Sequence, residues 1–487
     1  MKLPLRLVAV GLLAFAPPPA AAAPRNIVLV VSDDHGRDAG FLGHPVLRTP
    51  HLDRLAAEAT VFDLAFCTSA SCSASRSVLL TGLHNHANGQ FGHEHAYHNF
   101  HAYPGLRSLP VRLAAAGYRT ARIGKFHVQP EAVYRFETVL GGNPGGARNP
   151  VGMAEQCREF LAAADPRPFF LYFCTADPHR GGGFADDLPG RPDWFGNHAR
   201  HEGVNEVKYD PATVPVPPWL PDTPATRAEL AQYCQSVSRL DQGVGRLIQV
   251  LKETGRWEGT LFVYLSDNGA AFPGAKTTLY EPGVRLPLLV RHPDVPPPGV
   301  RNDALVSWAD ITPTLLDFAG ALAAGERTPL RHRAVQAARP APAGFHGRSF
   351  LGLLGRTSGA GWDEVFASHT FHEVTMYYPM RAVRTRQFKY LLNLAHPLPF
   401  PFASDLWESP IWQSVQHTGA ERFGQRRVAA FLQRPREELY DLAADPHEAH
   451  NLAADPAHAR TLAALRERVR EFMETTGDPW IVKWEHE

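Results

Sequence analysis

The segment Ser71–Gly82, SCSASRSVLLTG, places an arginine four residues after a cysteine and continues as an apolar helical pattern that ends in glycine. A helix that begins near Ser73 or Ala74 would direct its free backbone N–H groups and its positive dipole end towards Cys72. Such a helix end favours a bound anion. The segment itself allows a small buried cysteine beside a helix, or a thiolate nucleophile whose pKa is lowered by the helix end and Arg76.

Polar side chains follow four short apolar segments that are typical of buried parallel strands. Because the carboxyl ends of parallel strands share one edge, where open α/β sheets bind ligands, we predict one active site there. The adjacent carboxylates of Asp33 and Asp34 would repel each other unless a cation lies between them. The alternative for this pair is a helix cap with a solvated neighbour. The segments are 26–31, 118–124, 169–175 and 260–265, and the polar residues are Asp33, Asp34, Lys125, His127, Asp177, His179, Asp267 and Asn268, with Lys276 in a loop beyond.

Six histidines lie between His84 and His101. Their density suggests a metal site, but their spacing is irregular, and glycine, asparagine and aromatic residues separate them. We therefore expect a loop that faces the substrate, with His98 among its contacts. A merely solvated loop and a transition-metal site stay open as alternatives.

The remaining periodicity predicts an α/β protein with two domains. We expect a large domain whose mainly parallel sheet is flanked by helices, and a smaller C-terminal α+β domain with an antiparallel sheet. The predicted boundaries are a signal peptide at 1–23, a catalytic domain at 24–375 and the smaller domain at 376–487. Other expectations are helices at 50–60, 109–117, 226–253 and 457–475, strand and helix within 306–316, a surface excursion at 322–344, a last strand of the large sheet at 365–368, and antiparallel strands at 381–384 and 388–392.

Composition narrows the classes of partner. The chain has 487 residues, and its 49 basic residues equal its 49 acidic ones, so no overall field would attract nucleic acid. A basic start, a short apolar core and small residues near Ala21–Ala23 predict a cleaved secretory signal, hence a periplasmic or secreted protein without a membrane anchor. Five cysteines without CxxC spacing predict neither a disulfide framework nor a zinc site.

The ordered motifs DD, CxAxR, LLTG, GKxH, DPH, SDNG and ELYDLAADPHEAHNLA resemble those of type I sulfatases of the alkaline phosphatase superfamily. The blocks HEVTMYYPMRAV and NLAHPLPFPFASDLWESP are similar to the sulfamidase branch of that family, which removes N-sulfo groups from glucosamine. The resemblance covers nearly all of the chain after the predicted signal. It implies an alkaline-phosphatase-like large domain and a hydrolase of sulfated glycosaminoglycan fragments such as those of heparan sulfate.

The resemblance also implies roles for individual residues. Cys72 would be oxidised by a maturation enzyme to formylglycine, whose hydrate is the nucleophile, and Arg76 would hold that hydrate. One Ca²⁺ would be bound, Lys125 and Lys276 would bind sulfuryl oxygens, and His127 and His179 would transfer protons. The implied calcium ligands are Asp33, Asp34, oxidised Cys72, Asp267 and Asn268. A homodimer is the family expectation.

Three departures and three alternatives accompany the resemblance. Ala74 replaces the usual proline of the cysteine motif, the RGGG segment directly after DPH has no cysteine for a local disulfide, and Lys276 stands where the sulfamidase branch carries arginine. His372 and Glu373 lie near the predicted domain boundary, where they could contact the sugar or belong to a polar loop. The functional alternatives are an O-sulfatase acting on aryl or sugar esters, a phosphoester hydrolase, and an inactive calcium-dependent glycan-binding protein.

Overall fold

The computed structural model describes residues 25–141, 146–181, 193–326 and 344–486. The predicted signal peptide at 1–23 lies outside the described residues, as does most of the predicted surface excursion. The strands are β1 (Asn26–Ser32), β2 (Thr60–Phe66), β3 (Arg119–Gly124), β4 (Thr138–Leu140), β5 (Phe169–Cys174), β6 (Thr260–Ser266), β7 (Leu288–Arg291), β8 (Val300–Ser307), β9 (Glu364–His369), β10 (Met380–Thr385), β11 (Phe388–Asn393), β12 (Arg422–Phe423), β13 (Arg426–Arg427) and β14 (Glu437–Asp441).

The helices include each of those that the periodicity predicts, with bounds shifted by a few residues. The α-helices are α1 (Pro50–Ala56), α2 (Cys72–Thr81), α3 (Asn85–Asn88), α4 (Leu109–Ala115), α5 (Pro150–Gln156), α6 (Arg158–Ala162), α7 (Pro224–Glu253), α8 (Glu281–Val284), α9 (Ile311–Phe318), α10 (Ser404–Trp407), α11 (Pro410–Thr418), α12 (Val428–Leu432), α13 (Ala459–Thr476) and α14 (Val482–His486). In the part of the chain that the structure describes, none of these helices has the length and apolarity needed to cross a bilayer.

The large sheet has eight strands in the order β4-β3-β5-β1-β6-β7-β2-β8. Only β7 runs against its neighbours, pairing antiparallel with both β6 and β2. Helices cover both faces: Val28 of β1 belongs to one apolar cluster with Val244 of α7, whereas Ile27 belongs to the opposite cluster with Leu79 of α2. The mainly parallel sheet predicted from the continuous apolar strands is therefore confirmed.

A four-stranded antiparallel sheet, in the order β14-β11-β10-β9, forms the smaller unit. The prediction that 365–368 closes the large sheet is wrong, because β9 pairs antiparallel with β10, with Phe366 opposite Val383. A short strand bordered by loops fits either sheet by its own pattern, and distant partners decide its place. The division of the chain at residue 376 stays a prediction, and the small sheet already begins at Glu364.

Candidate active site at the edge of the large sheet

The register of four adjacent strands brings their carboxyl ends level. Val31 lies opposite Cys174 of β5 and Leu265 of β6, and Gly124 of β3 lies opposite Cys174. The chain continues this alignment past the strands: the Asp33 N–H donates to the Asp177 carbonyl at 3.1 Å, and the Asp267 N–H donates to the Ser32 carbonyl at 3.0 Å. Residues that follow four separate strands therefore meet at one edge, as predicted.

Helix α2 carries Cys72 to this edge as its first residue. The helix begins one residue earlier than expected, after Ser71, whose backbone is extended. Cys72 is fully buried, and its Sγ lies 3.6 Å from Asp34 Oδ1. Burial raises the pKa of the Cys72 thiol well above its usual range, although Lys125 opposes the effect. Burial therefore argues against a thiolate at Cys72, one of the alternatives that the sequence left open.

Asp33 and Asp34 are completely buried and closely surrounded by cationic groups. Asp33 Oδ2 lies 2.5 Å from Lys125 Nζ, and Asp34 Oδ2 lies 3.1 Å from Lys276 Nζ and 2.5 Å from His179 Nδ1. Burial opposes the ionisation of both carboxyls. Lys125 lowers the pKa of Asp33, Lys276 lowers that of Asp34, and His179 lowers both. These charges outweigh burial, so both pKa values lie below the usual range. Both side chains are therefore carboxylates.

A third carboxyl, Asp267, lies beside this pair. Its Oδ2 accepts from Arg76 Nε at 2.8 Å, and its Oδ1 accepts from the backbone N–H groups of Asp34 and Asn268 at 3.0 and 2.8 Å. Burial nevertheless raises the pKa of Asp267 to about 7, against the effect of Arg76 and with the repulsion of Asp33. Asp267 therefore ionises less readily than Asp33 and Asp34.

Unsatisfied oxygen atoms test whether this edge suits a metal ion. Asp33 Oδ1 and Asn268 Oδ1 are buried and have no hydrogen-bond partner among the described residues. Asp33, Asp34, Cys72 and His179 each offer one potential ligand atom, and these atoms lie within 4.8 Å of one another. Buried carboxylate and amide oxygens without partners are the donors that a hard cation such as Ca²⁺ prefers. The residues present therefore fit that ion.

The predicted cationic and proton-transferring residues surround the same point. Arg76 is fully buried and bonds to both Asp267 and the Lys125 carbonyl, the latter at 3.0 Å. His127 has a left-handed backbone with φ of 60°, and its Nδ1 is buried without a partner among the described residues. Burial, reinforced by Lys125, lowers the pKa of His127 well below its usual range. This ring is therefore neutral and able to accept a proton.

Asp177 of the DPH motif has a different role. Its carboxylate accepts two hydrogen bonds of 2.7 Å from Arg239, one from Arg148 at 3.1 Å and one from Ser236 at 3.0 Å. These bonds fix the loop that presents His179. Asp177 is consequently a buried anchor of the loop.

The histidine-rich segment divides between two places. His84 and His86 stack near Phe472, whereas His93 and His95 lie against His127. His95 Nδ1 is 2.6 Å from His127 Nε2. Sequence reasoning did not single out His93 or His95, although the density of histidines between His84 and His101 was the available signal.

The three residues expected to contact substrate make defined contacts within the protein. His372 is buried, with Nδ1 2.9 Å from Ser71 Oγ and Nε2 3.0 Å from His93 Nε2. Glu373 accepts from the Ser404 N–H at 2.9 Å, and His98 Nδ1 accepts from the Val374 N–H at 3.2 Å. His372 thus contacts the residue that precedes Cys72 in the chain, while Glu373 supports α10. Their contact with substrate stays a prediction.

Asp405 of α10 also reaches the site, which sequence reasoning did not foresee. Its Oδ2 lies 2.7 Å from Lys276 Nζ, which also contacts Asp34. The signal available in the sequence was the block NLAHPLPFPFASDLWESP, which contains Asp405. The five cysteines are buried free thiols.

Comparisons with known proteins agree with this geometry. The sulfatase family model matches residues 25–321. The chain is 39% identical over 474 residues to human N-sulphoglucosamine sulphohydrolase, covering 94% of this chain and 92% of the relative. It is 30% identical over 366 residues to human arylsulfatase A, covering 64% and 67% of the two chains.

A solved structure shares the fold at lower identity. The structure of BT4656 in complex with its substrate, D-glucosamine-2-N,6-O-disulfate, superposes with a TM-score of 0.65 at 19% identity, covering 94% of this chain and 99% of that one. The family match spans most of the large domain and includes every strand end that forms the site. The chain belongs to the sulfatase family.

Proposed function

We propose that this protein hydrolyses the N-sulfo group of glucosamine residues in heparan-sulfate-type glycan fragments, using formylglycine derived from Cys72 and one Ca²⁺. The observation that carries the proposal is the 39% identity to human N-sulphoglucosamine sulphohydrolase across 94% of the chain. The site supports it, since Cys72 lies at the start of a buried helix beside two ionised carboxylates and two lysines. An enzyme acting on sulfate needs such local positive charge, because the net charge of the chain is zero.

The two accessory groups each supply one kind of chemistry. Oxidised Cys72 supplies an aldehyde hydrate, a nucleophile for sulfur that the neutral thiol does not provide. Ca²⁺ would be held by Asp33, Asp34, Asp267 and Asn268, and it would supply positive charge for the reacting sulfo group.

The cationic side chains of the chain then bind the sulfo group. The ammonium groups of Lys125 and Lys276 converge on the carboxylate pair from two loops, and both can donate to oxygens of an anion bound there. Because charge accumulates on the sulfuryl oxygens in the transition state, donors fixed at these positions lower the barrier most. Arg76 is fully buried and bonded to Asp267. Its role in this proposal is to hold the nucleophile derived from Cys72.

Two histidines divide the proton transfers. Since a carboxylate only accepts, the contact with Asp34 requires a proton on His179 Nδ1, which leaves Nε2 for the leaving group. Burial lowers the pKa of His179, with Lys125 adding to the effect, and an anionic substrate would raise it again. His179 therefore protonates the departing amine. The neutral His127 ring accepts the proton that is released as the nucleophile is regenerated.

The test combines peptide mass spectrometry across Cys72 with steady-state kinetics on the purified protein from its own host. We expect the mass change of formylglycine and a higher kcat/KM for N-sulfoglucosamine than for glucosamine 6-O-sulfate or an aryl sulfate. The variant Cys72→Ala should be inactive on all three substrates. A wild-type preference for either ester would overturn the N-sulfo assignment in favour of an O-sulfatase, and an unmodified, inactive protein would favour a glycan-binding role.

A further inference from the structure

Asp405 lies beside Lys276, one of the two lysines proposed to bind the sulfo group. Its Oδ2 is bonded to Lys276 Nζ at 2.7 Å, and Lys276 Nζ lies 3.1 Å from Asp34 Oδ2. Asp405 is therefore separated from the carboxylate pair by a single ammonium group. Asp405 Oδ1 is buried and has no hydrogen-bond partner among the described residues, while 21% of the side chain remains exposed. Asp405 thus has one acceptor oxygen without a partner, and it is the partly exposed member of its pair with Lys276.

The position of Asp405 is fixed by neighbouring segments. Glu373 accepts from both the backbone N–H and the Oγ of Ser404, at 2.9 and 2.7 Å, which holds the first residue of α10. The apolar side of the same helix packs against other segments through a small buried cluster. Its buried members are Ala271, Met376, Ala403 and Leu406. The carboxylate is therefore placed by three separate parts of the chain, as a recognition group should be.

The two classes of sulfo substrate differ in one hydrogen. In a sulfamate, R–NH–SO₃⁻, the bridging nitrogen carries a hydrogen-bond donor, whereas the bridging oxygen of a sulfate ester carries none. An ionised carboxylate can only accept hydrogen bonds. A buried acceptor facing an ester oxygen would remain unsatisfied, and sites built to bind an NH group reject analogues that lack it.

We propose that Asp405 is the residue that recognises the sulfamate nitrogen, with Oδ1 accepting its N–H while Oδ2 stays bonded to Lys276. This inference rests on the proposed function and supplies its basis for choosing N–S over O–S bonds. In the overall reaction, R–NH–SO₃⁻ and water yield R–NH₃⁺ and SO₄²⁻, so positive charge develops on the nitrogen. A carboxylate beside that nitrogen favours the ammonium product as well as the substrate.

The test compares Asp405→Ala and Asp405→Asn with the wild type on N-sulfoglucosamine and on an aryl sulfate. Both reactions need Lys276, so the kcat/KM for N-sulfoglucosamine divided by the kcat/KM for the aryl sulfate isolates recognition of the nitrogen. We expect that ratio to fall about 10- to 100-fold in both variants, the range for losing one hydrogen bond to a charged group. The Asn variant should fall further, since its amide can donate to an ester oxygen. Glu408→Gln, which changes an exposed carboxylate near the end of the same helix, should leave the ratio unchanged.

Each outcome separates this inference from the proposed function. Equal losses on both substrates, which leave the ratio unchanged, would mean that Asp405 only holds Lys276, and wild-type rates on both substrates would mean that it does not contact the nitrogen. Either result overturns the inference while the wild-type preference for N-sulfoglucosamine stands. A wild type that prefers the ester overturns the proposed function by itself. Thermal unfolding shows whether both variants are folded. If Asp405→Ala is not folded, Asp405→Asn, which preserves the side-chain volume, still provides the test.

A second inference rests on the three imidazoles of His93, His95 and His127. One ring nitrogen of each can serve as a ligand atom, and the three atoms lie within 4.8 Å of one another. Burial lowers the pKa of all three rings, with neighbouring charges adding to the effect at His93 and His127. Neutral imidazole is the form that binds borderline metals such as Zn²⁺. This cluster offers nitrogen ligands only, in contrast to the oxygen-rich edge at Asp33.

We infer that this histidine cluster binds one Zn²⁺ or a similar transition-metal ion and thereby inhibits the enzyme, because the ion would occupy the lone pair of His127. The probe is Zn²⁺, added in the presence of excess Ca²⁺ so that the carboxylate site is not available to Zn²⁺. We expect the wild type to bind one Zn²⁺ per chain by elemental analysis and to lose activity. His95→Asn should remain active, bind no Zn²⁺ and resist inhibition. Equal Zn²⁺ binding by the two proteins, or none by the wild type, would overturn the inference.

Discussion

Two buried charge clusters in this protein differ in how completely their charges are paired. In the smaller unit, Arg381 donates two hydrogen bonds to Asp478 and further ones to the carbonyls of His369 and Met380. Asp478 also accepts from the Trp480 N–H. At the edge of the large sheet, in contrast, oxygens of Asp33, Asn268 and Asp405 lack partners among the described residues.

The difference separates structural charges from chemical ones. Leaving a buried polar atom without a partner costs free energy, so folding alone would pair every such atom. Complete pairing around Arg381 therefore indicates a role in stability, while incomplete pairing around Asp33 indicates groups kept free for ligands. Substitutions in the two clusters should accordingly affect different measurable properties.

The largest expected effect is on activity, from Asp34→Asn. The substitution removes the carboxylate that contacts Lys276 and His179, and loss of such preorganised charge reduces rates by about 10³-fold. The free energy of unfolding should fall by less than the roughly 3 to 5 kcal/mol typical of a broken buried ion pair, because Lys276 keeps Asp405 as a second partner. Steady-state kinetics and urea unfolding measure the two quantities. A severe loss of stability with this variant would break the distinction between the clusters.

Arg381→Met should have the opposite profile. It leaves Asp478 buried without its cation, and breaking a buried pair in this way costs about 3 to 5 kcal/mol of unfolding free energy. The kcat/KM of the folded fraction should stay near the wild-type value. Urea unfolding checks the stability, and adding Asp478→Leu should recover most of it, since no charge is then left unpaired. Loss of activity without loss of stability would argue against this assignment.

Removal of Ca²⁺ should affect both the catalytic activity and the free energy of unfolding moderately. If the ion binds at Asp33 and Asn268, its release by a chelator lowers the unfolding free energy by about 2.7 kcal/mol relative to a solution holding 100 times the dissociation constant. Thermal unfolding with and without added Ca²⁺ measures the shift. The shift should be smaller in Asn268→Ala, and an equal shift in that variant would place the ion elsewhere.

The smallest effect is a pH dependence of stability from Asp478. Burial opposes its ionisation, but Arg381 outweighs burial, and the pKa falls from 3.8 to about 2. A lowered carboxyl pKa contributes stability that is present above pH 3.8 and is lost as the pH falls towards 2, here about 2 kcal/mol. The difference in unfolding free energy between wild type and Asp478→Asn should therefore shrink over that interval. A difference in unfolding free energy that stays constant over this pH interval would show that Arg381 does not lower the pKa of Asp478.

Local patterns predicted the strands, their polar ends and the Cys72 segment, because those features depend on neighbours in the chain. The partner of β9 was not predictable in this way, since sheet pairing depends on distant segments. The contacts of Asp405 with Lys276 and of His372 with Ser71 span 129 and 301 residues, beyond the reach of periodicity. The sequence left a thiolate at Cys72 open as an alternative, because it does not quantify burial, which has the largest effect on the pKa of that thiol.

The burial of Cys72 has a consequence for biosynthesis. The side chain is 0% exposed, so an enzyme that oxidises it must reach it before the surrounding segments fold over it. His372, which covers the adjacent Ser71, is 301 residues further along the chain. At ribosomal rates of 5 to 20 residues per second, this separation gives a delay of roughly 15 to 60 s. If Cys72 is oxidised as proposed, the length of chain between Ser71 and His372 would set a time window for that modification, and slower or faster translation would change the modified fraction.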